Sequence, residues 1–423
     1  MLRIGIFLLT FLLNSVFPLN VNAATNAATK AIRLGRLWDG HRVIVNATVI
    51  VENDRVQRLH TGDEIPTDAE IIDLRRYTGI PGLIDAHTHI TYYWDGAPDT
   101  TPRRQPARHV AVTVFLAQEN ARKTLAAGVT TIRDLNAAGG ADIAMRDLVN
   151  MGAMVGPRMF VSGTGLRSSA NRPGVTDPAA EAGNQAKTVI DSGADWVKVF
   201  GSTGGFDNVT GDQTVSYAEM KAIVDTAHAA GRKVAIHSYG PAGARDAIRA
   251  GGDTLEHATD MDDDTIAELA RKKIWYVPTI DHNQYYIENA DNVYKFPVGA
   301  KESLSNFISR NLETARKAYR AGVRMLMGSD AVYNGFGLNG RELTWFVKLG
   351  MTNDQALQAA TVAPTEMLGL EKSLGSIAPG YFADIVAVEG DPLASIEVVV
   401  KNVRWVMKGG VVVVDKTRAS HEK

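Results

Sequence analysis

Between residues 83 and 330 the chain alternates short apolar strands with helical stretches, and this alternation narrows the fold to a parallel α/β architecture. Candidate strands end near His87, Asp134, Ser162, Phe200, His237, His257, Thr279 and Asp330. Residues 112–127 are good helix formers stopped by Gly128. Residues 217–230 follow Ser216, an N-cap with Glu219 three places on, and stop at Gly231. Residues 262–272 and 301–321 repeat the pattern. Eight strands alternating with helices predict a (β/α)8 TIM barrel, whose reactive groups gather at the C-terminal strand ends.

Both flanks read as β structure. Residues 31–73 contain a strand, a turn at Trp38-Asp39-Gly40 and a hairpin through 47–56. Residues 382–388, 403–407 and 411–414 are the matching strands at the far end. Together 30–78 and 377–415 predict a small discontinuous β-sandwich domain, with 79–376 as the barrel; two unrelated β flanks are the alternative. At 423 residues the chain is long enough for both parts.

Residues 1–23 have the form of a secretory signal: Arg3, an apolar stretch over 4–19, and the small-residue site Val21-Asn22-Ala23. The stretch is short for a membrane span. Cleavage predicts an exported protein, periplasmic or secreted, without a stable membrane anchor; a retained anchor is the alternative. Lys and Arg number 45 against 47 Asp and Glu, a balance that offers nothing to nucleic acid or an anionic membrane. With 0 cysteines there is no disulfide framework and no thiol nucleophile. Core packing, metal or assembly as a homo-oligomer must then supply stability.

The first barrel strand runs through Pro81-Gly82-Leu83-Ile84-Asp85-Ala86-His87-Thr88-His89. Residues two apart on a strand face the same way, so His87 and His89 can aim two imidazoles at one point. Imidazole is the commonest protein ligand for zinc-like metals. Alone the pair is a weak signal that packed histidines also explain. Lys198 lies inside the apolar strand Trp196-Val197-Lys198-Val199-Phe200, however, and His237, His257 and Asp330 end three more strands. Buried charge is costly without a partner. Four histidines, a lysine and an aspartate at predicted strand ends are hard to attribute to independent packing.

These segments resemble the metal-dependent amidohydrolase superfamily, and within it the imidazolonepropionase-like branch that holds prolidases (Xaa-Pro dipeptidases) and ochratoxin-degrading amidohydrolases. The similarity extends through Ala126-Ala127-Gly128-Val129-Thr130-Thr131-Ile132-Arg133-Asp134, His237-Ser238-Tyr239-Gly240, Thr254-Leu255-Glu256-His257, Gly328-Ser329-Asp330-Ala331 and Gly375-Ser376-Ile377-Ala378-Pro379-Gly380. The resemblance implies two divalent metal ions, most often Zn2+. His87, His89 and Asp330 would hold one and His237 and His257 the other, bridged by Lys198 carboxylated on its amine. It further implies that Asp330 carries a proton between water and the leaving nitrogen. Tyr239, two residues past His237, is the candidate oxyanion donor, or else an aromatic packed over the barrel mouth.

Two departures concern substrate binding. Many relatives carry Gly-Gly-His after the third strand, where this chain has Leu166-Arg167-Ser168-Ser169-Ala170-Asn171-Arg172, with Asn171 near the histidine's place. The loop after the eighth strand reads Tyr333-Asn334-Gly335-Phe336-Gly337 and lacks the histidine common there. Candidate substrate contacts are therefore Tyr93, Asn171, Arg103, Arg104, Arg167 and Arg172, with solvated loop charge as the alternative for each arginine. The expected activity is hydrolysis of an amide beside a free C-terminal carboxylate, in Xaa-Pro and other dipeptides or N-acyl amino acids. Ochratoxin A, an aryl amide of phenylalanine, fits the same description. A cyclic-amide or imidazolone-type hydrolase is the enzymatic alternative, and a metal-free scaffold the non-enzymatic one.

Overall fold

The structure, a computed structural model, describes residues 29–62, 64–204 and 211–417; the expected signal at 1–23 lies outside them. Strands β1 (Lys30–Trp38), β2 (Val43–Glu52), β3 (Arg55–Thr61) and β4 (Glu70–Pro81) come first. Then follow β5 (Leu83–Thr88), β6 (Val129–Asp134), β7 (Arg158–Val161), β8 (Trp196–Phe200), β9 (Lys233–Ser238), β10 (Thr254–His257) and β11 (Trp275–Val277). Strands β12 (Ile385–Val388), β13 (Val403–Lys408) and β14 (Val411–Asp415) complete the order.

Both chain ends contribute to one seven-stranded sheet, ordered β14-β13-β12-β4-β1-β2-β3. A bridge between Arg55 and Phe382, with Val56 N donating to Tyr381 O at 2.9 Å, brings β3 back to the segment before β12. The two layers of the expected sandwich are thus halves of one folded sheet. Its inner face packs Ile32, Leu34, Val49 and Leu74 with Ile385 and Trp405 in a single apolar cluster.

The barrel is built from two parallel sheets, β5-β6-β7 and β11-β10-β9-β8. Leu166 joins them on one side, donating to Lys198 O and accepting from Phe200 N, both at 2.8 Å. On the other side, residues 324–331 stand where the eighth strand is expected. Leu326 N donates to Tyr276 O at 3.0 Å, Ala86 N to Met327 O at 2.9 Å, and Asp330 N to His87 O at 2.7 Å. This closing segment pairs only in isolated bridges, at Met325 and Ala331, instead of a regular ladder. Its backbone explains why. A Cβ on Gly328 would lie 2.4 Å from Val277 Cγ1 and 2.9 Å from His87 Cβ, and Asp330 has φ 49°. The left-handed turn interrupts pairing at the point where it delivers the carboxylate.

Helices occupy the intervals expected, with ends shifted by a residue or two. Helix Tyr217–Ala229 starts with a full capping box between Ser216 and Glu219, and helix Val110–Ala126 ends ahead of Gly128 at φ 82°. Among the described residues, no helix is long and apolar enough to cross a membrane.

Candidate active site

Six side chains converge at the C-terminal mouth of the barrel. His87, His257 and Asp330 each offer a donor atom, all within 4.8 Å of one another. His89 Nε2 is 3.1 Å from Asp330 Oδ1. The His237 ring centroid is 4.6 Å from that of His257, and Lys198 Nζ is 3.3 Å from His87 Nε2. All six are buried. The convergence follows from strand order, because β5, the closing segment, β10, β9 and β8 end around one ring.

A second set of residues fixes the imidazoles. Glu256 Oε2 meets His87 Nδ1 at 2.7 Å, which turns the opposite nitrogen, Nε2, toward Lys198. Thr279 Oγ1 does the same for His257 Nδ1 at 2.6 Å. Such outer partners set the tautomer and orientation of metal-binding histidines. Burial alone would raise the Glu256 carboxyl, but Arg133 and then His87 outweigh it and hold the group at about 2. Arg133 is itself fully buried, donating to Glu256 Oε1 at 2.8 Å, to Thr254 Oγ1 at 3.0 Å and to Ala86 O at 2.6 Å. Removing one member of such a pair strands the other charge. Arg133→Met is therefore expected to cost about 3–5 kcal/mol in urea unfolding. A loss under about 1 kcal/mol, the scale of an exposed ion pair, would show that the network is not what holds this end of the barrel together.

The electrostatics favour metal-ligating forms. Burial, then the neighbouring Lys198, lowers His87 to about 4 and drives His237 well below the usual imidazole range. Burial followed by His237 does the same to His257. Neutral imidazole is the form that binds metal. Asp330 is pushed up by burial, but His282, His87 and His89 outweigh this and keep it ionised well below the ordinary carboxyl range. Burial lowers the Lys198 amine to about 8 despite the nearby Glu256 and Asp330 carboxylates. His89 Nδ1 is buried with no hydrogen-bond partner among the described residues. Three neutral imidazoles, an ionised carboxylate and an orphaned imidazole nitrogen fit a divalent-metal centre by donor chemistry.

His89, Lys198, His237, His257 and Asp330, though not His87, line a cavity of about 240 Å3, together with Tyr92, Arg103, Arg167, Tyr239, His282, Tyr286 and Tyr333. Tyr239 stacks on His257, with centroids 5.0 Å apart, and burial raises its hydroxyl above the ordinary phenol range. Of the candidate substrate contacts, Arg103 and Arg167 reach this cavity. Tyr93, Arg104, Asn171 and Arg172 do not line it. Tyr93 lies by Arg108, 6.0 Å from its ring, Arg172 pairs with Glu181 at 3.7 Å, and Arg104 and Asn171 are exposed. Within the 166–172 loop, Glu219 accepts from Ser168 Oγ at 3.0 Å and from Ser169 N at 2.8 Å. Just before that anchor, Arg167 lies over the Phe200 ring at 4.1 Å, on the cavity side.

His282, Glu256, Arg133 and Thr279 are site residues that strand patterning alone did not single out. His282 Nε2 is 3.5 Å from Asp330 Oδ2. Its place three residues after the seventh strand end was the available sign.

Known proteins share this arrangement of folds. The chain is 29% identical over 434 residues to an ochratoxinase from Aspergillus niger, covering 93% of this chain and 88% of that one. It is 24% identical over 387 residues to an imidazolonepropionase of Streptomyces avermitilis, covering 82% and 81%. The solved structure of a Xaa-Pro dipeptidase with methionine bound in its active site superimposes with a TM-score of 0.81 at 28% identity, over 91% of this chain and 99% of that one. Residues 78–413 match the model of the amidohydrolase family, to which this protein belongs.

Proposed function

We propose that the protein is an exported, binuclear metal-dependent hydrolase of amides that carry a free C-terminal carboxylate: Xaa-Pro and other dipeptides, or N-acyl amino acids. One observation carries the reading. One cavity is lined by five of the six donors, His89, Lys198, His237, His257 and Asp330, and by two arginines, Arg103 and Arg167. An ochratoxinase and a Xaa-Pro dipeptidase among the similar proteins support the substrate class.

His87, His89 and Asp330 would hold one ion, His237 and His257 the other, and Lys198, as its carbamate, would contact both. Bound divalent ions would supply Lewis acidity, making water a nucleophile at neutral pH and polarising the amide carbonyl. Asp330 takes the proton from the attacking water and gives it to the departing nitrogen. Tyr239 stays protonated in its buried setting and donates to the developing oxyanion. Arg103 and Arg167 hold the substrate carboxylate by charge-assisted hydrogen bonds.

The test is a library of dipeptides and N-acyl amino acids, read by release of free amino acid before and after chelation. Chelated protein is expected to be inactive, and Zn2+ to restore turnover. Full activity in protein shown by elemental analysis to be free of metal would end the reading. Converting the substrate carboxylate to a neutral amide is expected to lower kcat/KM about ten- to a thousandfold, from a lost contact of about 1.5–3 kcal/mol and poorer orientation. Neutral esters or lactones turned over as fast as free acids would instead favour cyclic-amide or ester hydrolysis at the same metal centre.

A further inference from the structure

A second cavity, of about 450 Å3, adjoins the catalytic one and has no role in the chemistry above. Its lining includes Tyr92, Tyr93, Val110, Leu116, Ala138 and Tyr333. Tyr92 and Tyr333 also line the catalytic cavity, so the two spaces share a wall. That wall is held in place. The Tyr92 ring stacks on His89 at 4.7 Å and an angle of 20°, and its hydroxyl accepts a hydrogen bond from Asn136 Nδ2 at 2.6 Å. Tyr333 N donates to Tyr92 O at 3.0 Å, and Tyr333 takes φ 50°, a left-handed conformation that costs energy in a side-chain-bearing residue.

We propose that the outer cavity is an acyl-group subsite for an apolar substituent the size of an aromatic ring; the inference rests on the amide-hydrolase reading above. The inner cavity, at about 240 Å3, is below the roughly 300–1,000 Å3 typical of small-molecule sites, whereas the outer one is within that range. In an N-acyl amino acid the acyl group and the carboxylate diverge from the amide. Charge decides which end goes where. Arg103 and Arg167 line the inner space. Among the described residues that line the outer space the one charged group is Arg108, whose charge is offset by Asp95 Oδ2 at 2.8 Å, with Gln105 Oε1 at 2.6 Å. The carboxylate belongs inside, and the acyl group passes over the tyrosine wall onto the apolar lining.

The test compares kcat/KM for N-acetyl, N-hexanoyl and N-benzoyl derivatives of one amino acid. The benzoyl substrate is expected to exceed the acetyl one by about ten- to a hundredfold, on the scale of burying a ring-sized apolar surface. Leu116→Glu places a charge in the outer cavity alone, and Ala138→Trp fills it from an exposed position. Each should cut the benzoyl-to-acetyl ratio by about tenfold. Equal kcat/KM for the two substrates in the wild-type protein would overturn the subsite, as would a preference that survives both variants. If no such amide is hydrolysed, the amide-hydrolase reading fails, and calorimetry decides the subsite separately. Tighter binding of N-benzoylglycine than of N-acetylglycine, lost in Ala138→Trp, sustains it; equal binding refutes it.

Discussion

Lys198→Ala is expected to abolish turnover and metal binding together. Lys198 is fully buried in the middle of β8, with its amine 3.3 Å from His87 Nε2 and close enough to His237 and His257 to act on both. A permanent ammonium there would repel any divalent cation the histidines attract. Burial lowers the amine to about 8, so an appreciable fraction is unprotonated near neutral pH, the form that carbon dioxide can carboxylate. A carbamate formed there would exchange a positive charge for a two-oxygen anion among the donors. Loss of an outer partner of a metal ligand costs about 10–100-fold in affinity, and loss of a bridging ligand should exceed that. Lys198→Arg should fail as well, since a guanidinium stays charged and cannot form the carbamate. Metal content by elemental analysis, measured beside kcat, separates this role from simple packing. Lys198→Ala protein that keeps both ions and its turnover would refute it.

Much of this centre was legible because strands make it so. His87, Lys198, His237 and His257 belong to strands, where period-two geometry and a parallel barrel force side chains toward one mouth. The amphipathic helices and their caps were readable for a similar local reason, as the Ser216–Glu219 box shows. What escaped depends on backbone that no period describes. Thr279 and Tyr333 take positive φ, at 50° each, though neither is glycine; His257 and Asp330 do so too, at 73° and 49°, but their strand-end positions were readable all the same. Conformations of this kind persist only where surrounding contacts over-determine them. Here those contacts are long-range: Glu342, buried, accepts from Ile280 N at 2.9 Å and Asp281 N at 2.8 Å, setting the helix that carries His282. No local pattern couples residue 342 to residue 280. The loop arginines were ambiguous for the same reason: Arg167 lines the cavity and Arg172 pairs with Glu181 instead, in a loop tied at Ser169 to the distant Glu219.

Asp330→Asn is expected to lower kcat by about 10²–10⁴-fold, the range of a lost general acid–base group, with the fold intact. The carboxylate sits among four histidines, its Oδ1 3.1 Å from His89 Nε2 and 3.7 Å from His87 Nε2, its Oδ2 3.5 Å from His282 Nε2 and 3.9 Å from His257 Nδ1. An amide of nearly the same shape keeps one oxygen able to ligate metal. It cannot accept a proton from water and return it to a leaving nitrogen. Its NH2 group would also face an imidazole that now meets a carboxylate oxygen. Two measurements divide the roles. Loss of turnover with metal content retained assigns Asp330 the proton, whereas loss of both makes it a ligand first. Wild-type turnover at saturating metal would remove Asp330 from the mechanism, and would leave its strained backbone and four histidine neighbours to be explained by structure alone.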